Sequence, residues 1–143
     1  MPTPDWDDPA VEAEWFAGQR SQADEYMHGQ RALFGSVETQ PAWAVAPYVA
    51  IWRALGSRSG EPAYWVITGD LPTDFLPSSA ADSPRAAATA FAERWRSVAG
   101  YMLNGRKHPT ITIGSGDESA ELGSLLQSRA DTIANWALND DYW

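Results

Sequence analysis

Cysteine is absent from the 143 residues. That removes a disulfide framework, a thiol nucleophile and any thiolate metal site. Lysine occurs once, at Lys107, and ten Lys plus Arg stand against nineteen Asp plus Glu, a net charge of −9. Nucleic-acid binding draws most of its affinity from phosphate neutralisation by Lys and Arg, and with no basic stripe in the chain no nucleic-acid partner is expected. Histidine is nearly missing too, with only His28 and His108. No His-Glu-x-x-His, Gly-x-Ser-x-Gly or Walker pattern occurs, so zinc-protease, α/β-hydrolase and P-loop chemistry have no motif to stand on. No apolar run approaches the roughly 20 residues of a membrane span. The acidic start, Met1-Pro2-Thr3-Pro4-Asp5-Trp6-Asp7-Asp8, lacks the basic and apolar regions of a signal peptide. The expectation is a soluble, cytoplasmic, bacterial-type protein with no membrane association, no metal and no cofactor.

What the chain does have is apolar and aromatic residues: 44% hydrophobic, with eight Trp. A chain near this length buries about 68–70% of its unfolded surface. It is read as one globular domain over 1–143, with 1–7 extended or flexible. Asp8-Pro9 is an N-cap followed by proline in the first turn. An apolar stripe with Val11, Trp15 and Met27 then predicts a helix to about residue 30, interrupted at Gly18. Residues 43–55, Trp43 to Leu55, are β-branched and aromatic on both alternating faces, as in a buried strand. Pro47 cannot donate to a ladder and predicts a bulge, or a strand starting at Tyr48. After the turn Gly56-Ser57-Arg58-Ser59-Gly60, Ala63 to Thr68 returns as the second strand of a hairpin over about 43–68.

Ser83-Pro84 repeats the cap-and-proline signature. Ala88, Phe91, Ala92, Trp95, Val98, Ala99 and Met102 give the most regular helical stripe in the chain. Gly100 interrupts it, at about 1 kcal/mol relative to Ala, and is expected to admit a close neighbour. Asn104-Gly105 ends the helix. Residues at about 110–113 read as a possible short third strand or, equally, as extended loop. The last helix follows Gly114-Ser115-Gly116-Asp117, with Leu122, Leu125, Leu126, Ile133 and Trp136 as core positions. The fold class expected is α+β: a small antiparallel sheet packed by three main helices.

Three stretches carry a likeness to a known family: Pro41 to Val49, Trp65 to Asp74 with its Gly69-Asp70-Leu71-Pro72-Thr73-Asp74 segment, and Pro84-Arg85 to Trp95. In these the chain resembles the bacterial domain-of-unknown-function family numbered 4826, and the likeness runs on through Ile113-Gly114-Ser115 and the last helix. The resemblance implies a stand-alone soluble protein and transfers no catalytic residue.

The residues most able to carry chemistry are Asp70 and Asp74, flanking Thr73 just past a strand end. Two carboxylates four apart can bind Mg²⁺ or Ca²⁺ through oxygen, or divide acid and base roles. They also suit a turn, Asp70 beside a permissive glycine and Asp74 capping a short helical turn through Phe75 and Leu76; the turn is preferred. Gly114-Ser115-Gly116 before a helix suggests an anion nest, but Asp117, Glu118 and Glu121 oppose a phosphate there. Trp15, Trp95 and Trp136 fit apolar helical faces. Trp52 and Trp65 on the hairpin, with Tyr48 and Tyr64, are candidates for lining a pocket or a protein-binding face, because Trp and Tyr are enriched at interface hot spots. The leading reading is a non-enzymatic binding or protein-interaction domain of immunity-like type, meeting a partner or a second copy through the aromatic hairpin face. The alternative is a metal-assisted hydrolase using the acidic loop.

Overall fold

Asp8 opens the first helix as its sequence dictates. Its Oδ1 accepts the Ala10 N–H at 2.9 Å, Pro9 takes the first position, and α1 (Pro9–Gly29) follows. The computed structural model describes residues 3–30, 34–57, 61–111, 113 and 120–143. It divides into two compact units, Met1–Ser79 and Ala80–Trp143, each taken by itself below. No described helix is long and apolar enough to cross a membrane.

The run expected as one strand at 43–55 is two. β2 (Trp43–Val45) and β3 (Val49–Leu55) pair with each other, Trp43 opposite Ile51 and Val45 opposite Val49. Pro47 lies in the turn between them, which the Tyr48 N–H closes onto the Val45 carbonyl at 2.8 Å. A residue without an N–H donor is excluded from the ladder, and the strand breaks around it. β4 (Pro62–Gly69) pairs along the whole of β3, and β5 (Asp74–Pro77) pairs with β4 at the far edge. A two-residue β1 (Ser36–Val37) adds to the other end of β3. All five strands are antiparallel. Of the strand and the extended loop open for about 110–113, no strand forms among the described residues: Thr110, Ile111 and Ile113 are irregular, and Thr112 lies outside them.

Trp52, Val66 and Phe75 fall in one row across β3, β4 and β5. Ala50 and Ala54 flank Trp52 on the same face, leaving room for the indole, and Ala23 and Met27 of α1 close over it. Trp15, Phe16, Tyr26 and Tyr64 ring this cluster. The Trp52 indole N–H donates to the buried Thr68 hydroxyl at 3.1 Å, so these two buried polar groups satisfy each other. Arg20 on α1 donates to the Val37 and Glu38 carbonyls at 2.7 and 3.0 Å, tying the short β1 to the helix.

In the second unit Ser83 Oγ accepts the Ala86 N–H at 3.1 Å and starts α2 (Pro84–Leu103). Its expected stripe is the buried one, from Ala88 through Phe91, Trp95 and Val98 to Met102. α3 (Ala120–Leu138) packs on it in antiparallel sense. A Cβ at Gly123 would sit 2.9 Å from Met102 Cβ, Arg96 pairs with Asp131 at 3.0 Å, and Arg85 donates to the Ala137 carbonyl at 2.7 Å. The buried positions of α3 are Gly123, Leu126, Ala130, Ile133 and Ala137. Leu122 and Leu125, expected in the core, are exposed, and Trp136 is half-buried. The close approach expected at Gly100 is made by Gly123 instead. Among the described residues, three α-helices and a five-stranded antiparallel sheet make this an α+β protein.

Candidate functional site

β4 ends at Gly69, whose φ of +131° is open only to glycine at low cost. The next N–H, of Asp70, donates to the Tyr48 carbonyl at 2.9 Å, and the Asp70 side chain is exposed. Thr73 Oγ1 accepts from Gln22 Nε2 at 2.8 Å, fastening the loop to α1. Asp74 then stands opposite Ile67 in the ladder, only 2% exposed, with its Oδ1 accepting the Phe75 N–H at 2.8 Å. It opens a strand and not the helical turn expected there. The two carboxylates therefore occupy different environments, one facing water and one inside. Among the described residues no three His, Asp or Glu side chains are grouped to hold a metal ion.

Trp52 and Trp65 do not form one surface. Trp52 pairs with Val66 and Trp65 with Arg53, so the two indoles lie on opposite faces of the sheet. Both are buried, and the Arg53 guanidinium stacks over Trp65 at 4.7 Å. The aromatic hairpin face expected to meet a partner or a second copy thus offers neither indole. Tyr48, at the turn, is the exposed aromatic there. The Gly114-Ser115-Gly116 nest lies outside the described residues.

One arrangement was not anticipated. Just past the end of α2, His108 Nδ1 accepts two backbone N–H groups, from Thr110 at 3.1 Å and Ile111 at 3.0 Å. That assignment leaves the proton of the neutral ring on Nε2, 3.2 Å from Ser97 Oγ. The imidazole therefore donates to the serine. A catalytic base must accept the serine proton, so this contact points the wrong way for a nucleophilic serine and instead pins the chain after the helix. The sequence carried one signal for it: His108 precedes Pro109 shortly after a helix end, where a side chain is positioned to fold back on the last turns.

The geometry defines a small α+β protein. The family model described as Domain of unknown function (DUF4826) matches residues 9–143, and the chain belongs to that family. No curated protein and no solved structure matches it significantly.

The different settings of the two acids predict different costs. Asp74→Ala leaves the Phe75 N–H without its acceptor in a buried place and should lose about 1–3 kcal/mol. Asp70→Ala, at the surface, should lose less. Asp74→Asn keeps an acceptor and should recover part of the loss. Urea denaturation of the single variants checks this. If Asp70→Asn and Asp74→Asn were both more stable than wild type, the acids would be a functional pair and not parts of a turn.

Proposed function

We propose that the chain is a non-enzymatic binding domain whose first unit takes a basic protein partner, in the manner of an immunity-like protein of the cytoplasm. The carrying observation is the fate of the arginines among the described residues of that unit, Arg20 and Arg53. Arg20 is spent on the carbonyls of Val37 and Glu38, and Arg53 on the face of Trp65. Asp5, Asp7 and Asp8 are exposed, and so are Glu14, Ser21 and Glu25 along one stripe of α1. Among the described residues Glu14 and Glu25 make no ion pair. A surface of one sign steers an oppositely charged partner and speeds encounter. A buried Asp74, and a His108 that donates to Ser97, support the non-enzymatic side of the reading.

The test compares wild type with the Asp7→Asn, Glu14→Gln, Glu25→Gln variant, each immobilised against proteins of the native cell. Expected is one basic protein retained by wild type at low salt, released as salt shortens the screening length to about 8 Å at 0.15 M, and not retained by the variant. A melting-temperature rise with Mg²⁺, Mn²⁺, Ca²⁺ or Zn²⁺ that is lost in Asp70→Asn, together with metal-dependent hydrolysis, would establish the hydrolase reading in its place.

A further inference from the structure

Gly100 is a helix-interior residue, where glycine is unfavourable relative to alanine. Such glycines are commonly explained by a neighbour that needs the space, as Gly123 is. Gly100 has no such neighbour: a Cβ there would meet nothing within 4 Å. What the missing side chain leaves open is the floor of a groove of about 420 Å³, walled by Arg96, Ser97, Tyr101, Asn104 and Arg106. Ligand pockets span about 300–1,000 Å³, so the space suits a single-ring molecule.

The charged side chains on the groove are both guanidinium groups, in a chain whose net charge is −9. Arg96 gives Nε and Nη2 to Asp131 Oδ1, at 3.3 and 3.0 Å. The Arg106 side chain makes no hydrogen bond or ion pair among the described residues, leaving its planar fork of donors open to a carboxylate or phosphate. Ser97 Oγ already accepts from His108, so its own O–H is left to donate. Tyr101, held edge-on by His108 at 5.0 Å between ring centres, supplies an aromatic wall.

We infer that this groove is a binding site for a small organic oxyanion, a carboxylate or phosphate carried on a flat ring. The oxyanion sits on Arg106 and Ser97, and the ring lies over Gly100 against Tyr101. The inference does not depend on the acidic-surface reading of the first unit. It is tested by amide chemical-shift titration with phenyl phosphate and with benzoate, at ionic strength matched with sodium chloride. The two probes separate the phosphate source from the carboxylate source, and phenol tests the ring without the charge.

Expected is saturable movement of the Ser97, Gly100, Tyr101 and Arg106 amides with one of the two anions, at a Kd below about 1 mM, and none with phenol. Gly100→Leu fills the floor and raises helix propensity. It should melt at or above the wild-type temperature and bind at least tenfold more weakly. Arg106→Gln, an exposed change that leaves the helix intact, should weaken binding by a similar factor. No saturable movement with either anion up to about 10 mM, or affinity that falls less than tenfold in both variants, overturns the inference.

Discussion

Gly69→Ala is expected to remove a large part of the protein's stability. Two effects add. A φ of +131° lies where L side chains are strained, at a cost of about 1–3 kcal/mol. The new Cβ would also run into the Tyr48 carbonyl oxygen and stand 2.9 Å from Val49 Cα. Both are backbone atoms, so no rotamer change relieves the contact. Relief would require moving the β2–β3 turn away from the end of β4 and breaking the Asp70 N–H bond to Tyr48. The expected loss is about 4 kcal/mol or more, in the range reserved for such mechanisms, from a total that for a domain is about 5–15 kcal/mol. Urea denaturation measures it, with Gly18→Ala as the control. Gly18 is exposed in α1 with open space around it, and alanine there should stabilise by about 0.5–1 kcal/mol. A Gly69→Ala variant within about 1 kcal/mol of wild type would contradict the backbone geometry at the end of β4.

The legible parts of the fold were those whose cause is local. Asp8-Pro9 and Ser83-Pro84 carry their capping chemistry in adjacent residues, and both helices start where those pairs put them. Pro47 announced an interruption, but which kind depended on a partner: the three residues before the break found their pairing with β3, across the turn. β5 was missed because Asp74-Phe75-Leu76-Pro77 has an acid at one end and a proline at the other. Only an edge position, with one neighbour to satisfy, tolerates so short and so punctuated a strand.

The last helix shows a different failure. Its large apolar residues, Leu122 and Leu125 among them, dominate the sequence pattern without defining the buried face. Its buried face is built on the steps Gly123, Leu126, Ala130, Ile133, Ala137, a regular three-four alternation in which small residues matter as much as large ones. Where α3 approaches the end of α2, a Cβ would already be too much, so the contact selects glycine. The same blindness to context governs the candidate site. Spacing placed Asp70 and Asp74 together, whereas burial separates them, and burial is a property of the sheet. Trp52 and Trp65 were likewise grouped by being on one hairpin, although strand alternation sends them to opposite faces.

Trp95 is the position where sequence pattern and structure agree most fully, and its removal should be nearly as damaging as the backbone change. It occupies the centre of the stripe Ala88, Phe91, Trp95, Val98, Met102 and is fully buried. Phe91, one turn earlier, lies with its ring centre 6.0 Å away in a tilted contact. Four of the eight buried positions on the helix are alanine, at Ala87, Ala88, Ala92 and Ala99, and these are too short to fill the volume an indole leaves. A site that cannot collapse retains its cavity, and truncating a buried aromatic then costs about 3–5 kcal/mol. Trp95→Ala is therefore expected to be largely unfolded at 37 °C, with Trp95→Phe recovering much of the loss because it keeps an apolar ring in the same place. Trp136→Ala should cost less, since that indole is half-buried. Urea denaturation followed by circular dichroism orders the three variants. Near-wild-type stability of Trp95→Ala would mean that α2 turns another face inward, and the stripe that defines the helix would have to be rotated away from Phe91 and Met102.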